Sequence, residues 1–194
     1  MTASLTVLAY GEAPRAEVDP FTPEDVAEMA RLAADYELAL KTRVETRLAQ
    51  HQNRLANAGG RPIPPLDRDR LEQTVRRELD QDPHLGAAKD MHERILKAGG
   101  LPAQWARGEA IQLEADSIEA LRLRLADYVG ANGKFTPFTN CLGLYLPLPG
   151  LKDLEVVDTP GINDPIPSRE KRTYRELHRC DAVFVVSPAG QFLN

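Results

Sequence analysis

The longest stretch of regularly spaced apolar residues in this chain has the spacing of an α-helix. They recur at Val26, Met29, Ala33, Tyr36, Leu40, Val44, Leu48 and Leu55. Thr22 can cap such a helix, Pro23 suits its first turn, and Gly59-Gly60 would end it. The pattern predicts a long amphipathic helix whose apolar stripe packs against the rest of the protein and does not form a cofactor site.

The same spacing predicts three more helices before residue 130. Two of them, 67–80 and 84–98, are separated by the helix-breaking pair Asp82-Pro83. The third covers 117–129, and a short helical turn is expected around Trp105. Together with the first helix, they predict a large helical region within the chain.

Short β-rich runs predict four strands, at 5–10, 141–146, 154–158 and 182–187. The second and third are joined by the turn-forming residues 147–150, so we expect them to form an antiparallel hairpin. The third and fourth flank a charged helix at 168–179. That order predicts a βαβ unit with a right-handed crossover.

Asp158 stands at the end of the third predicted strand, and Pro160-Gly161 break the chain just after it. The carboxylate can hold Mg²⁺ through water, and the backbone N–H of Gly161 can approach a terminal phosphate. The spacing Asp-x-x-Gly is also common in ordinary connections between a strand and a turn. These four residues alone leave both interpretations open.

A resemblance to a known family is carried by residues 156–193, VVDTPGINDPIPSREKRTYRELHRCDAVFVVSPAGQFL. This run resembles the dynamin-like branch of the P-loop GTPases, especially its bacterial members. Asp158 to Gly161 match the family's third motif, the DxxG of switch II. The similarity covers 153–194 well and 2–26 more loosely. Among bacterial members it is most similar to a subgroup linked to the replication sliding clamp.

The resemblance implies that the intact protein binds and hydrolyses GTP with Mg²⁺. Asp158 would hold the metal, as would Thr2, which matches the family's switch I threonine. Thr159, Pro160 and Gly161 would contact the nucleotide, and no residue is assigned as catalytic. For Thr2 the alternative is a terminal residue without this role, because chain ends are poorly ordered unless they are tied down.

A Walker A loop and a guanine-reading motif of N/T-K-x-D type are both missing from the chain. The run Gly130 to Lys134 ends in Gly-Lys, but Tyr128 stands where Walker A needs its first glycine, and Phe135 follows the lysine. We therefore expect a GTPase domain truncated at both ends. Alone, it would be inactive and would need no cofactor.

The expected fold class is α/β, as a partial dynamin-type P-loop GTPase sheet with a large α-helical insertion. Residues 1–20 would hold its first strand with the switch I remnant, 21–130 the helical insertion, and 131–194 the rest of the partial G domain with switch II. In this family the Walker A strand lies beside the switch II strand, so its absence would leave an empty slot. Val156, Val157, Val183, Val185 and Val186 are expected to line it as strands buried on both faces.

Composition and charge limit the binding partners and the cellular compartment that are expected for this protein. A net charge of −5 and a pI near 5.4 give no general argument for nucleic-acid binding. The apolar runs are far shorter than the ~20 residues of a transmembrane helix, and no secretory leader is visible. Cys141 and Cys180 suggest reduced thiols in a cytoplasmic protein, although a disulfide between them stays open.

A second hypothesis is a non-enzymatic interaction module. The helices between residues 22 and 129 would bind a protein partner, and the GTPase remnant would act as a scaffold. Self-association is a further expectation, because the empty slot in the sheet would leave two apolar strand edges without a neighbour. A measurement of nucleotide affinity distinguishes the GTPase hypothesis from the interaction-module hypothesis.

Overall fold

A computed structural model describes residues 4–59, 64–130, 132–159 and 166–186 of the chain. Five strands form one mixed sheet, with bounds β1 Leu5–Tyr10, β2 Arg15–Pro20, β3 Ile111–Glu114, β4 Thr139–Leu146 and β5 Val156–Asp158. Their order across the sheet is β3-β2-β4-β1-β5. Helices accompany this sheet, so the α/β fold class is confirmed.

The helices end close to where their capping residues predict. They are α1 Pro23–Ala56, α2 Arg68–Leu79, α3 Pro83–Lys97, α4 Ile118–Val129 and α5 Pro167–Leu177. Short 3₁₀ turns cover Ala103–Trp105, Thr136–Phe138 and Pro149–Leu151. Thr22 and Asp25 form a reciprocal capping box at the start of α1, which satisfies two backbone donors that the helix itself cannot satisfy.

The predicted hairpin between β4 and β5 is wrong. The strands run in opposite directions, but β1 lies between them, parallel to β4 and antiparallel to β5. Their connection, residues 147–155, contains the 3₁₀ turn Pro149–Leu151 and is longer than the two to five residues of a usual hairpin loop. It therefore spans the width of one intervening strand.

Two strands of the sheet, β2 and β3, were not predicted from the sequence. β2 alternates buried Ala16 and Val18 with charged neighbours, so its apolar signal rests on very few residues. β3 has only four residues, of which Ile111 and Leu113 are half-buried. It pairs with β2, so the segment predicted as a helical insertion also contributes an edge strand to the sheet.

The insertion is held by packing along the length of α1. Its second half packs on α2 in a cluster of Tyr36, Leu40, Val44, Leu71, Val75 and Leu79. Its first half packs on α3 in a second cluster that includes Met29 and Ile95. Leu55 was predicted in the same stripe but is 48% exposed, because the packing of α2 extends along α1 only to Leu48.

Helices α4 and α5 lie on opposite faces of the sheet. Leu121 of α4 packs in a cluster with Val18 of β2, whereas Arg172 of α5 forms an ion pair with the next residue, Asp19. Neighbouring residues of a strand point to opposite faces, so the two contacts place the helices on different sides. Ile118, at the start of α4, is 38% exposed.

The predicted strand at 182–187 is not formed over its described part, 182–186, and Ser187 lies outside the described residues. Phe184 and Val186 are more than nine-tenths exposed, and Val183 and Val185 are exposed as well. Val156 is also exposed and Val157 only half-buried, so the expectation of burial on both faces is wrong.

This exposure has a physical cause. A strand is stabilised by backbone pairing and side-chain burial beside a neighbour, and the sheet order ends at β5. Among the described residues no strand pairs with the outer edge of β5, and segment 182–186 does not occupy that edge, so the predicted βαβ unit is not completed. In the described part of the chain, no helix is both long and apolar enough to cross a membrane.

Candidate functional site

The candidate site lies at the end of the sheet where β5 stops. Thr6 of β1 pairs with Asp158 of β5 in antiparallel register, so β1 starts at the end where β5 finishes. The parallel partner of β1 starts there too, because Leu5 is opposite Cys141. We call this region the Asp158 end of the sheet, formed by Ser4, Thr139, Asn140, Asp158 and Thr159.

The structure describes two of the five residues that the sequence assigned to metal or nucleotide. Asp158 is exposed and Thr159 is half-buried at the end of β5. Thr2, Pro160 and Gly161 lie outside the described residues. An exposed carboxylate at a strand end fits Mg²⁺, which keeps several waters and uses one or two protein carboxylates together with phosphate oxygens.

No larger metal-binding group accompanies Asp158 in the described residues, where no cluster of three or more His, Cys, Asp or Glu side chains could hold an ion. A surface cavity of about 380 Å³ lies between β2, β3 and the start of α4, lined by Arg15, Glu114, Asp116 and Arg124 among others. Asp158 is not among its lining residues. Asp158 is the exposed carboxylate that β5 supplies to this end of the sheet.

Helix α5 brings charged side chains to the same end of the sheet. It begins with Ile166 as a buried N-cap residue and Pro167 in the first turn. Arg169 is 7% exposed, and its Nη2 donates a hydrogen bond to the backbone oxygen of Thr139 over 2.8 Å. Its guanidinium also lies 5.1 Å from the centre of the Phe21 ring.

One turn further along α5, Arg172 donates a hydrogen bond to Asp19 and forms an ion pair with it. Cys141 lies nearby. Burial raises the pKa of the Cys141 thiol to about 11, and the positive charge of Arg172 opposes that rise only in part. The thiol is therefore protonated at neutral pH and acts as a small buried side chain. Both cysteines are free, which closes the question of a disulfide between them.

Several buried polar atoms lack a hydrogen-bond partner among the described residues. They are Asn140 Oδ1 at the start of β4, Ser168 Oγ and Thr173 Oγ1 on α5. Thr173 is completely buried. Most buried polar atoms in proteins are paired, so this cluster marks packing that is not fully satisfied.

Sequence reasoning missed this polar contact between α5 and the sheet. The only signal for it is that Arg169 and Thr173 are four residues apart and share one face of the helix. Charged and hydroxyl side chains at that spacing usually indicate an exposed face. Nothing in the local pattern shows that this face is buried.

The chain matches no protein-family model and none of the curated proteins with which it was compared. The proposed link to the dynamin-like GTPases rests on the resemblance of residues 156–193.

Proposed function

We propose that this chain is the switch-containing part of a dynamin-like GTPase domain. It would bind Mg²⁺ and GTP only together with a Walker A loop supplied by polypeptide outside these 194 residues. The observation that carries the proposal is the antiparallel pairing of Thr6 with Asp158. It brings the start of β1, just after the segment that contains Thr2, to the end of β5 that carries the DxxG sequence.

This pairing matters because a GTPase metal site needs the switch II carboxylate and the switch I hydroxyl at one place. Asp158 would hold Mg²⁺ through water, and Thr2 would add a hydroxyl ligand. Thr159, Pro160 and Gly161 would lie beside the terminal phosphate, where the backbone N–H of Gly161 can donate to it. Strands far apart in the sequence thus meet at one end of the sheet, where the start of β1 lies beside the end of β5.

The open edge of β5 also supports the proposal. In the resembled family the strand that carries the Walker A loop pairs beside the switch II strand. β5 is the last strand in the sheet order, so its outer edge can accept another strand. Val156 on this strand is 43% exposed, so a strand added at this edge could cover part of its side chain.

Phosphoryl transfer depends mainly on positioning and on stabilising charge, so the missing loop has a direct consequence. The amides and lysine of Walker A compensate the charge of the β- and γ-phosphates. One exposed carboxylate and a metal ion do not replace them. The isolated chain should therefore neither bind GTP measurably nor hydrolyse it.

Calorimetry with Mg²⁺ and GTP tests this proposal. The purified chain should give no heat of binding, whereas a protein that also contains the upstream Walker A segment should bind GTP. In that longer protein, Asp158→Ala should weaken Mg²⁺-dependent binding, and substitution of the nearby exposed Glu155 by Gln should not. Micromolar binding to the 194-residue chain, or no binding to the longer protein, would contradict the proposal.

A second candidate function is an interaction module for a protein partner. It is favoured by the separate core of the insertion, because the cluster of Tyr36, Leu40, Val44, Leu71, Val75 and Leu79 contains no residue of the sheet. Helices with their own core can present a rigid surface whether or not nucleotide is bound. A partner that binds equally well in the presence and absence of GTP would favour this function.

A further inference from the structure

The small net charge of the chain is the sum of two parts with opposite charge. Residues 41–79 cover the second half of α1 and all of α2, and they hold nine Lys and Arg against five Asp and Glu. The rest of the chain holds fifteen basic residues against twenty-four acidic ones. We call residues 41–79 the basic arm. A positive segment on an otherwise acidic protein is typical of contact with a polyanion.

Much of the positive charge of the basic arm is not neutralised within the protein. Three of its arginines are paired with acidic side chains, Arg47 with Glu78, Arg70 with Asp67 and Arg76 with Glu72. Five other basic side chains are exposed and form no ion pair with another described residue, namely Lys41, Arg43, Arg54, Arg68 and Arg77. Exposed cations of this kind can neutralise phosphates and release the counterions bound to them.

Helix geometry places part of this charge in one row on α1. Arg47, Gln50 and Arg54 follow Arg43 by four, seven and eleven residues, so all four side chains share one side of the helix. The row extends about 17 Å along the helix axis. Arg47 Nη2 lies 2.7 Å from Glu78 Oε2 of α2, so the row runs along the border between the two helices.

Arg68 adds a cation from α2 at the same border. Leu71, Val75 and Leu79 pack against α1 and define the side of α2 that faces it. Arg68 is seven residues before Val75 and therefore lies on that side, but its side chain is exposed. The two helices thus present guanidinium groups on one surface.

The side chains around the row favour nucleic acid over a membrane surface. Residues 46–66 contain no acidic residue, and Gln50, Gln52 and Asn53 are exposed in the last turns of α1. Arginine and amide side chains are common donors to the phosphate and sugar oxygens of nucleic acids. A helix that lies in a membrane interface instead needs a broad face of Trp, Phe or Leu. Leu55 is the one large apolar side chain among residues 49–56.

We propose that the basic arm binds the phosphate backbone of nucleic acid without sequence preference. Arg43, Arg54 and Arg68 would each neutralise a phosphate, and Gln50 would donate a hydrogen bond between them. The acidic remainder of the chain would be repelled by the same polyanion, so the contact would be confined to the arm. The sheet and Asp158 take no part in it, so this inference is independent of the proposed GTPase function.

Fluorescence anisotropy of the full chain with a short labelled DNA duplex of mixed sequence tests the proposal. Three phosphate contacts should lower the affinity by about 40-fold between about 50 and 200 mM KCl, because each contact releases bound counterions. This salt dependence is measured on the parent chain and needs no variant. The combined variant Arg43→Gln, Arg54→Gln and Arg68→Gln should lose nearly all of it, since each phosphate contact accounts for about one unit of the logarithmic slope.

A matched control removes the same charge elsewhere. Arg107, Arg122 and Arg175 are exposed outside the basic arm and form no ion pair with another described residue. Their combined replacement by Gln gives the same net charge as the test variant and should leave duplex binding as in the parent. Glutamine is a good helix former, and circular dichroism checks that both variants are folded.

Two results with the duplex would overturn the proposal. One is a parent chain that does not bind it at protein concentrations of about 100 μM in about 50 mM KCl. The other is a control variant that loses as much affinity as the test variant, which would show an effect of total charge and not of the arm.

Vesicles of equal parts phosphatidylglycerol and phosphatidylcholine, and polyglutamate, are compared with the duplex under the same conditions. Weaker binding to both is the expected result. Binding to either one that equals or exceeds binding to the duplex would assign the arm to a membrane or to an acidic protein, and would also overturn the proposal.

Discussion

Thr6 and Asp158 are opposite residues of one antiparallel strand pair, although they lie near opposite ends of the chain. The pair sets the end of the sheet at which the Asp-x-x-Gly sequence lies. It also places the start of β1 and the end of β5 at one end of the sheet, which is the arrangement that the proposed metal site requires.

Asp158→Ala should remove GTP turnover from a protein that contains the missing Walker A loop, and should leave the fold intact. Asp158 is exposed, so its truncation leaves no cavity in the core. Losing the group that organises Mg²⁺ should lower kcat by about 100-fold or more, the usual size of losing one transition-state contact. Phosphate release measures turnover, and circular dichroism checks the fold. Unchanged turnover would show that Asp158 is only a strand-end residue.

The outer edge of β5 and segment 182–186 should make the isolated chain prone to self-association. Val156, Phe184 and Val186 are exposed beside backbone that can pair with another strand. Val156→Lys together with Phe184→Lys should lower the associated fraction in sedimentation velocity, because charge at an edge disfavours pairing. A parent chain that stays monomeric at every concentration would contradict this prediction.

A polypeptide that carries the Walker A strand should also lower the self-association of the chain. The cause would be strand pairing at the edge of β5 and not added charge. Strand addition to the β5 edge would extend the sheet by one strand, as in other cases of recognition by strand addition. Coexpression with such an upstream segment should raise the yield of soluble monomer and slow amide exchange at Val156 and Val185. Full protection at both residues in the lone chain would show that our strand topology is wrong.

Tyr36 should make stability depend on pH under alkaline conditions. Its Oη donates a hydrogen bond to Asp80 over 2.8 Å, and burial together with Asp80 raises the pKa of Tyr36 to about 12. In the unfolded chain the pKa is about 10, so the unfolded state loses its proton first. The stabilisation by Tyr36 should be complete below pH ~10 and should be lost as the pH rises towards 12.

Denaturant unfolding at a series of pH values from neutral to strongly alkaline measures this effect. Tyr36→Phe should lower the free energy of unfolding at neutral pH by about 1 kcal/mol, the net value of one hydrogen bond. In this variant the free energy of unfolding should also decrease less as the pH rises into the alkaline range. Tyr174→Phe is the control, because Tyr174 is 44% exposed and should change neither. An alkaline decrease that is equally steep in the Tyr36→Phe variant would contradict the assignment.

The two cysteines should differ in their reaction with iodoacetamide. Cys141 is buried and its pKa is raised to about 11, so little thiolate forms under mildly alkaline conditions. Cys180 is only half-buried. Mass spectrometry of the native chain should find label on Cys180, and Cys141 should react only after unfolding. Rapid labelling of Cys141 in the folded chain would show that α5 leaves it accessible.

The sequence by itself determined the helices and the place of Asp158. Helix ends depend on residues three or four positions apart, so Thr22, Asp67, Asp82 and Ser117 mark the starts of α1 to α4 locally. A β-branched pair followed by Asp and a turn likewise marks the end of β5. Such signals need no knowledge of the rest of the fold.

Only the tertiary structure decided the order of the strands and the burial of α5. Whether β4 pairs with β5 or with β1 depends on partners that are distant in the chain, and no local pattern records that choice. The face of α5 with Arg169 and Thr173 is polar, so its burial follows from tertiary contacts such as those of Arg169 with Phe21 and Thr139. Segment 182–186 shows the converse, because its apolar sequence favours a strand and yet it pairs with no strand of the described sheet.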